Sequence, residues 1–177
     1  LMILGFYTGV RHSDLDKVNK SNTKMIPSGG KEIMVFKFTD KKTDDDVILP
    51  VHPRVQKVLN LPHHYINRGE FGEYAKEIAK QVGLDRIEYG RKYNVVKVIN
   101  GKKVRRTEEG HFPLHELVSS HICRRTFASL NYTKIPTGLL MKLTGHNTEA
   151  DLRKYIGISD DTGAIALHKI WVDEDQA

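Results

Sequence analysis

Residues 144–158 read TGHNTEADLRKYIGI, and this stretch carries the decision about the whole chain. A Gly-His pair, Gly145-His146, is followed nine residues later by Tyr155. Thr148, Glu149, Asp151, Arg153 and Lys154 lie between, so little hydrophobic periodicity surrounds the tyrosine. A core tyrosine is normally flanked by apolar residues at helical or strand spacing. Tyr155 therefore reads as a side chain that is presented on an exposed or flexible element and not packed away.

Outward from that stretch, the second half of the chain is helical. HICRRTFASLNY, 121–132, spaces Ile122, Phe127, Leu130 and Asn131 for a partly buried helix, with His121 and Arg124 one turn apart. TGLLMKLTG, 137–145, is a short helix with Thr137 as cap and Gly145 as terminator. A last helix is expected over about 160–171, apolar at Ile165, Leu167, Ile170 and Trp171, before an acidic tail. In the first half, Leu1 to Tyr7 reads as the end of a buried helix closed by Thr8-Gly9, which puts Arg11 on a turn. Ser13 is the expected cap of the next helix, with Asp14 and Asp16 in its first turn.

Residues 32–38 and 46–51 read as strands of a hairpin whose turn, TDKKTDDD, carries Lys41 and Lys42. Pro50 and Pro53 end the second strand, and RVQKVLNL begins a short helix. Between Pro62 and Pro113, FGEYAKEIAKQVGL puts Phe71, Tyr74, Ile78 and Val82 on one stripe of an amphipathic helix ended by Gly83. YNVVKVINGKKVRRT then alternates around Asn100-Gly101, a strong hairpin signal. Its Lys97, Lys102, Lys103, Arg105 and Arg106 suit either a phosphate backbone or a charged, solvated ribbon edge that resists strand pairing.

Composition sets wider bounds. The chain has 177 residues, 39% hydrophobic and 28% charged, which fits one folded unit and excludes disorder. No stretch approaches the roughly 20 apolar residues of a membrane span. The formal net charge of +6 favours an anionic partner, and nucleic acid is the commonest large one. One cysteine, Cys123, excludes an internal disulfide and suits a reducing compartment. It also argues against zinc, since His63-His64, His111 and His115 have no paired C-x-x-C beside them. The abrupt apolar opening at Leu1 suggests a piece of a longer protein.

Taken in order, TGVRHSDL, then KKT with Lys42 eight residues before Pro50, then HICRRTF, then LTGH with Tyr155 nine residues on, resemble the catalytic domain of the tyrosine recombinases, the phage-type integrases. The resemblance runs from Tyr7 to Gly157. It implies an α+β, mainly helical catalytic-domain fold with small antiparallel β-hairpins over 1–177, the N-terminal core-binding domain of such enzymes being absent. PLHELVSSH before the H-x-x-R pair and KLTGHNTEADLRKYI after it resemble integrases of phages and conjugative transposons in Bacteroides-type bacteria.

Carried over position by position, the resemblance implies Arg11, Lys42, His121, Arg124, His146 and Tyr155 as catalytic residues, with Asp14 in a supporting place. Lys42 is preferred to Lys41 because it directly precedes Thr43. Lys41, Arg125, Lys102 and Arg105 are the further candidates for DNA contact. The implied activity is site-specific cutting and rejoining of double-stranded DNA through a 3′-phosphotyrosyl enzyme and a free 5′-hydroxyl, for integration or excision of a mobile element. No cofactor or metal is implied, and a homotetramer on synapsed DNA in the bacterial cytoplasm is. The residue types suit that chemistry: arginine forks bind phosphate oxygens, a tyrosine of pKa about 10 needs positive charge and a proton acceptor, and a histidine titrates near neutrality. A type IB topoisomerase and a catalytically silent DNA-binding module remain alternatives.

Overall fold

A computed structural model of the chain describes residues 1–42, 44–62, 64, 66–99, 102–158, 161, 164–165, 168 and 171–172, and of residues 94–97, 103 and 105 the backbone alone. The chain gathers into two compact units. The first comprises Leu1, Ile3–Leu61 and Cys123–Ala177; the second comprises Met2 and Pro62–Ile122.

In the first unit, helix α1 (Met2–Thr8) ends at Gly9, which takes the left-handed conformation at φ 65°. Only glycine adopts that geometry without a Cβ penalty. A Cβ on Gly9 would also lie 2.2 Å from the Phe127 ring. Left-handed strain of about 1–2 kcal/mol and overpacking of about 1–3 kcal/mol then add, so Gly9→Ala should lower stability by about 2–5 kcal/mol in urea unfolding. An unchanged midpoint would show that this helix end is not built as described.

The helix expected from Ser13 is a 3₁₀ turn over His12–Lys17, with Arg11 at the capping position. Three strands follow, β1 (Thr23–Ser28), β2 (Lys31–Thr39) and β3 (Asp46–Pro50), antiparallel in the order β1-β2-β3. The β2–β3 hairpin matches the expected one, with Phe36 opposite Leu49 and both buried. Strand β1 is an addition to it. Its Pro27 and exposed lysine hide a strand pattern, and proline is tolerated there because β1 is an edge. Gly29 and Gly30, both at positive φ, make the turn into β2.

After α2 (Pro53–Gln56), the unit resumes with α5 (Ile122–Asn131), α6 (Thr137–Thr144) and α7 (Glu149–Ile156). Ala128, Leu140, Leu152 and Ile156 form their shared core, with Phe127, Tyr132, Met141 and Tyr155 packed on it. Leu130, expected on the buried side, is 58% exposed. Thr137 is the first helical residue of α6 and Pro136 precedes it as cap, so the expected threonine cap is displaced by one position. Of the expected last helix, Asp161, Ala164, Ile165, His168, Trp171 and Val172 are helical, while Leu167 and Ile170 lie outside the described residues.

The second unit contains α3 (Arg68–Gln81), a long ribbon of β4 (Ile87–Ile99) and β5 (Lys102–Pro113), and α4 (Leu114–Leu117). The ribbon's Asn100-Gly101 turn lies outside the described residues, but Ile99 pairs with Lys102 across it. Helix α3 buries Phe71 as expected, but the rest of its buried stripe differs. Phe71, Ala75 and Ala79 face inward, whereas Tyr74, Ile78 and Val82 are 60%, 44% and 69% exposed. The small alanines let the helix approach Val118, and the bulkier stripe is left outside.

Among the described residues no helix is long and apolar enough to cross a membrane.

Candidate active site

The site in the first unit is built from two helix ends of the same design. Thr8 and Thr144 each close a helix, each is buried, and each is followed by a left-handed glycine. Each threonine hydroxyl donates to the carbonyl one turn back: Thr8 Oγ1 to Leu4 O at 2.7 Å, and Thr144 Oγ1 to Leu140 O at 2.6 Å. The carbonyls at the two helix ends have no intrahelical partner and carry the negative pole of the helix dipole.

Arg124 serves both ends. Its Nη1 donates to Gly9 O at 2.7 Å and its Nη2 donates to Thr144 O. Helix α5 holds it with 7% of its surface exposed. Burial, and next the nearby Arg11 charge, pull its pKa down to about 10, opposed by Tyr155, Asp40 and Asp14. It stays charged at neutral pH.

Arg11 lies against the other face of the Thr144-Gly145 corner, where a Cβ on Gly145 would come 2.4 Å from its Nη2. Its Nη1 is 2.5 Å from Asp40 Oδ2. Asp40 also accepts the Lys42 backbone N–H through Oδ1 at 2.8 Å. Fully buried Asp14 accepts the Lys41 N–H at 3.0 Å and pairs with Lys17 Nζ at 3.0 Å. The Asp40 carboxylate thus tethers the lysine-bearing turn to Arg11, and that of Asp14 holds the same turn beside Lys17. Lys41 and Lys42 are themselves exposed, and Thr43 lies outside the described residues.

His146 follows the same corner, with Nδ1 2.8 Å from Thr144 Oγ1. The threonine hydroxyl gives its single proton to Leu140 O, so here it accepts and Nδ1 carries the ring proton. Burial, and then Arg124, lower the His146 pKa from its ordinary value, Asp151 raising it and Arg11 lowering it further. The ring is therefore neutral at pH 7, and its Nε2 is an acceptor.

The ring of Tyr155 lies 4.8 Å from that of His146, tilted by 47°. The tyrosine is not on a loose segment. Thr148 caps α7 by accepting the Asp151 N–H, Glu149 and Asp151 occupy the first turn, and Gly157 closes the helix at φ 76°. The polar residues around it are helix-end residues, and Leu152 and Ile156 supply the buried i, i+4 pair. The ring is half-buried on the core, but the hydroxyl is buried without a hydrogen-bond partner among the described residues. Burial raises its pKa above the ordinary value of 10, against the pull of Arg124 and Arg125. Arg125 is exposed on α5, its Nη2 beside Gly157 at the end of α7.

The structure therefore brings Arg11, Arg124, His146 and Tyr155 together in one unit, with the Lys41-Lys42 turn tied to Arg11. His121 belongs to the second unit, exposed just before α5, where it meets Arg68. Lys102 is exposed at the start of β5, and the Arg105 side chain lies outside the described residues. Asp40 and Thr144 were not singled out in the sequence, and Thr8 only as part of a helix end. The repeated Thr-Gly is the signal that could have found the threonines.

No family model and no curated protein matches the chain. Several solved structures resemble it. XerH site-specific recombinase bound to palindromic difH substrate, a post-cleavage complex, superposes with a TM-score of 0.52 at 15% identity over 96% of this chain and 44% of that one. Its pre-cleavage complex gives 0.54 at 15% identity over 96% and 45%. XerA recombinase gives 0.53 at 15% identity over 98% and 57%. This chain thus spans about half the length of the proteins it resembles. The fold is that of the tyrosine recombinase catalytic domain.

Proposed function

We propose that this chain is the catalytic part of a site-specific DNA recombinase of the tyrosine type, acting in the integration or excision of a mobile element. The observation that carries the reading is that Arg124 lies near both Arg11 and a tyrosine hydroxyl that is buried and unpartnered among the described residues. A guanidinium whose pKa is pulled down by burial and by a neighbouring guanidinium is suited to an incoming anion. A phosphodiester under attack supplies non-bridging oxygens that arginine forks bind through charge-assisted hydrogen bonds.

In this reading the Tyr155 oxygen attacks phosphorus, the bond from phosphorus to the 5′ oxygen breaks, and the tyrosine proton passes to a water molecule. Arg11 and Arg124 hold the non-bridging oxygens, and Lys42 gives a proton to the departing 5′ oxygen. His146 starts as a neutral acceptor; a phosphate anion beside it favours proton uptake, after which Nε2 can donate to that anion. His121 keeps its place through its position three residues before Arg124. One ester replaces another, so a second strand's 5′-hydroxyl can reverse the step without ATP. Lys41, Arg125, Lys102 and Arg105 contact the DNA backbone, and four protomers assemble on two synapsed duplexes.

The test is a nicked suicide substrate carrying the element's end sequence, incubated in EDTA with the full-length protein and resolved under denaturing conditions. A covalent adduct is expected. Retained DNA binding without an adduct would favour the silent module, and relaxation of supercoils regardless of sequence would favour a topoisomerase. Binding itself should weaken steeply with salt, because phosphate contacts release counterions; a flat response would contradict a backbone-dominated interface.

A further inference from the structure

The lysine-bearing turn between β2 and β3 is already held without the Asp40 side chain. Its own backbone closes it: Asp40 N donates to Asp45 O at 2.8 Å, and Asp44 N donates to Asp40 O at 3.0 Å. The 3₁₀ turn over His12–Lys17 anchors it a second time. Asp14 Oδ1 accepts the Lys41 N–H at 3.0 Å, and Lys17 Nζ, 3.0 Å from that same oxygen, donates to Thr39 O at 2.6 Å. This anchor uses neither the Arg11 side chain nor Lys42.

The Asp40 carboxylate adds a link of a different kind. Oδ2 lies 2.5 Å from Arg11 Nη1, while Oδ1 accepts the Lys42 N–H at 2.8 Å, so one planar group fixes both at once. An aspartate that accepts the N–H two residues on forms an Asx turn, which sets the backbone from which the Lys42 side chain departs. The ion pair is largely shielded from water, its side chains 19% and 13% exposed, so salt screens it less than an open surface pair. Lys41 has its amide on Asp14 instead. We propose that Asp40 is a positioning residue that registers Lys42 against Arg11, so that the clamp on the phosphate and the acid for its departing 5′ oxygen are set as one element. The role in strand transfer rests on the recombinase reading; the link itself does not.

The chemistry requires such a register. As the bond from phosphorus to the 5′ oxygen breaks, charge grows on that oxygen, and a proton from the Lys42 ammonium neutralises it. The Arg11 fork must hold a non-bridging oxygen of the same phosphate at the same moment. Arg11 follows α1 and Lys42 lies on an exposed hairpin turn, both within the first unit. A misplacement of about 1 Å costs on the order of 10²-fold in rate, and a flexible lysine on an exposed turn is the group most open to it. Asp40 engages Nη1 through one oxygen, so a phosphate can meet the guanidinium without displacing it.

The experiment gives the full-length protein two suicide substrates, one ordinary and one whose bridging 5′ oxygen at the cleavage site is replaced by sulfur. A thiol has a pKa of about 8.5, so the sulfur leaves as thiolate without a proton and the lysine's contribution disappears. Asp40→Ala should slow adduct formation by about 10²-fold on the ordinary substrate and by less than about 10-fold on the sulfur one. Lys42→Ala should be restored in the same way, whereas any loss in Lys41→Ala should persist on sulfur. A loss of about 10²-fold that sulfur leaves in place would overturn the proposal, as would a wild-type rate in Asp40→Ala or restoration of Lys41→Ala in place of Lys42→Ala. Amide exchange reads the link apart from the reaction. Asp40→Ala should speed exchange of the Lys42 N–H by about 5-fold, the loss of one hydrogen bond, and leave that of Lys41 unchanged. Unchanged exchange at Lys42 would remove the link. If the wild type forms no adduct on either substrate, the recombinase reading fails, and the exchange rates still decide whether Asp40 holds Lys42.

Discussion

Tyr155→Phe should abolish the covalent adduct, a loss on the order of 10⁴-fold or more, while leaving DNA affinity and folding stability nearly untouched. The stability half is the unusual part. Removing a buried tyrosine hydroxyl ordinarily breaks a hydrogen bond and costs about 0.5–1.5 kcal/mol. Here the hydroxyl has no partner among the described residues, so nothing is broken, and relief of an unsatisfied buried group offsets any lost packing. The measurements are adduct yield on the suicide substrate beside urea unfolding of the same variant. An adduct in the phenylalanine protein would place the nucleophile elsewhere. A stability loss of more than about 1.5 kcal/mol would mean that the hydroxyl has a structural partner after all.

Arg124→Ala should fail in both respects. The guanidinium answers the Gly9 and Thr144 carbonyls at the ends of α1 and α6, and its removal leaves two buried acceptors unpaired. Breaking such a buried charged network costs about 3–5 kcal/mol, a large share of a domain's stability. Cleavage should also fall by about 10³-fold, since a donor to the developing phosphate charge is lost. Arg124→Lys separates the two effects. It retains the charge but not the fork, so one of the two carbonyls loses its partner and cleavage stays low. Near-wild-type stability in Arg124→Ala would contradict the double helix-end contact; full cleavage by Arg124→Lys would show that charge alone suffices.

Much of this was legible before any coordinates. The helix stop at Gly9, the β2–β3 hairpin with its lysine turn, the Gly145 stop and the order of the motifs all follow from local rules that a sequence carries openly. Several local readings had to change, three of them for instructive reasons. Strand β1 was hidden because an edge strand need not alternate and can hold Pro27. Helix α3 was turned, because hydrophobicity ranked Tyr74 and Ile78 above the alanines whose small size is what allows close packing. Tyr155 was read as presented because an eight-residue helix has room for one buried i, i+4 pair, too little to register as a period.

The sequence by itself determined the chemistry on offer: two arginines, a lysine pair, histidines and a tyrosine in a fixed order, with glycines where the backbone must turn left-handed. Only the tertiary structure decided what each group is able to do. The Thr144 hydroxyl sets the proton of His146, Arg68 meets His121, Asp40 ties the lysine turn to Arg11, and burial leaves the Tyr155 hydroxyl unpartnered among the described residues. Protonation, tautomer and solvation depend on which atoms lie within about 3 Å, and partners 29 to 53 residues apart along the chain meet only when it folds.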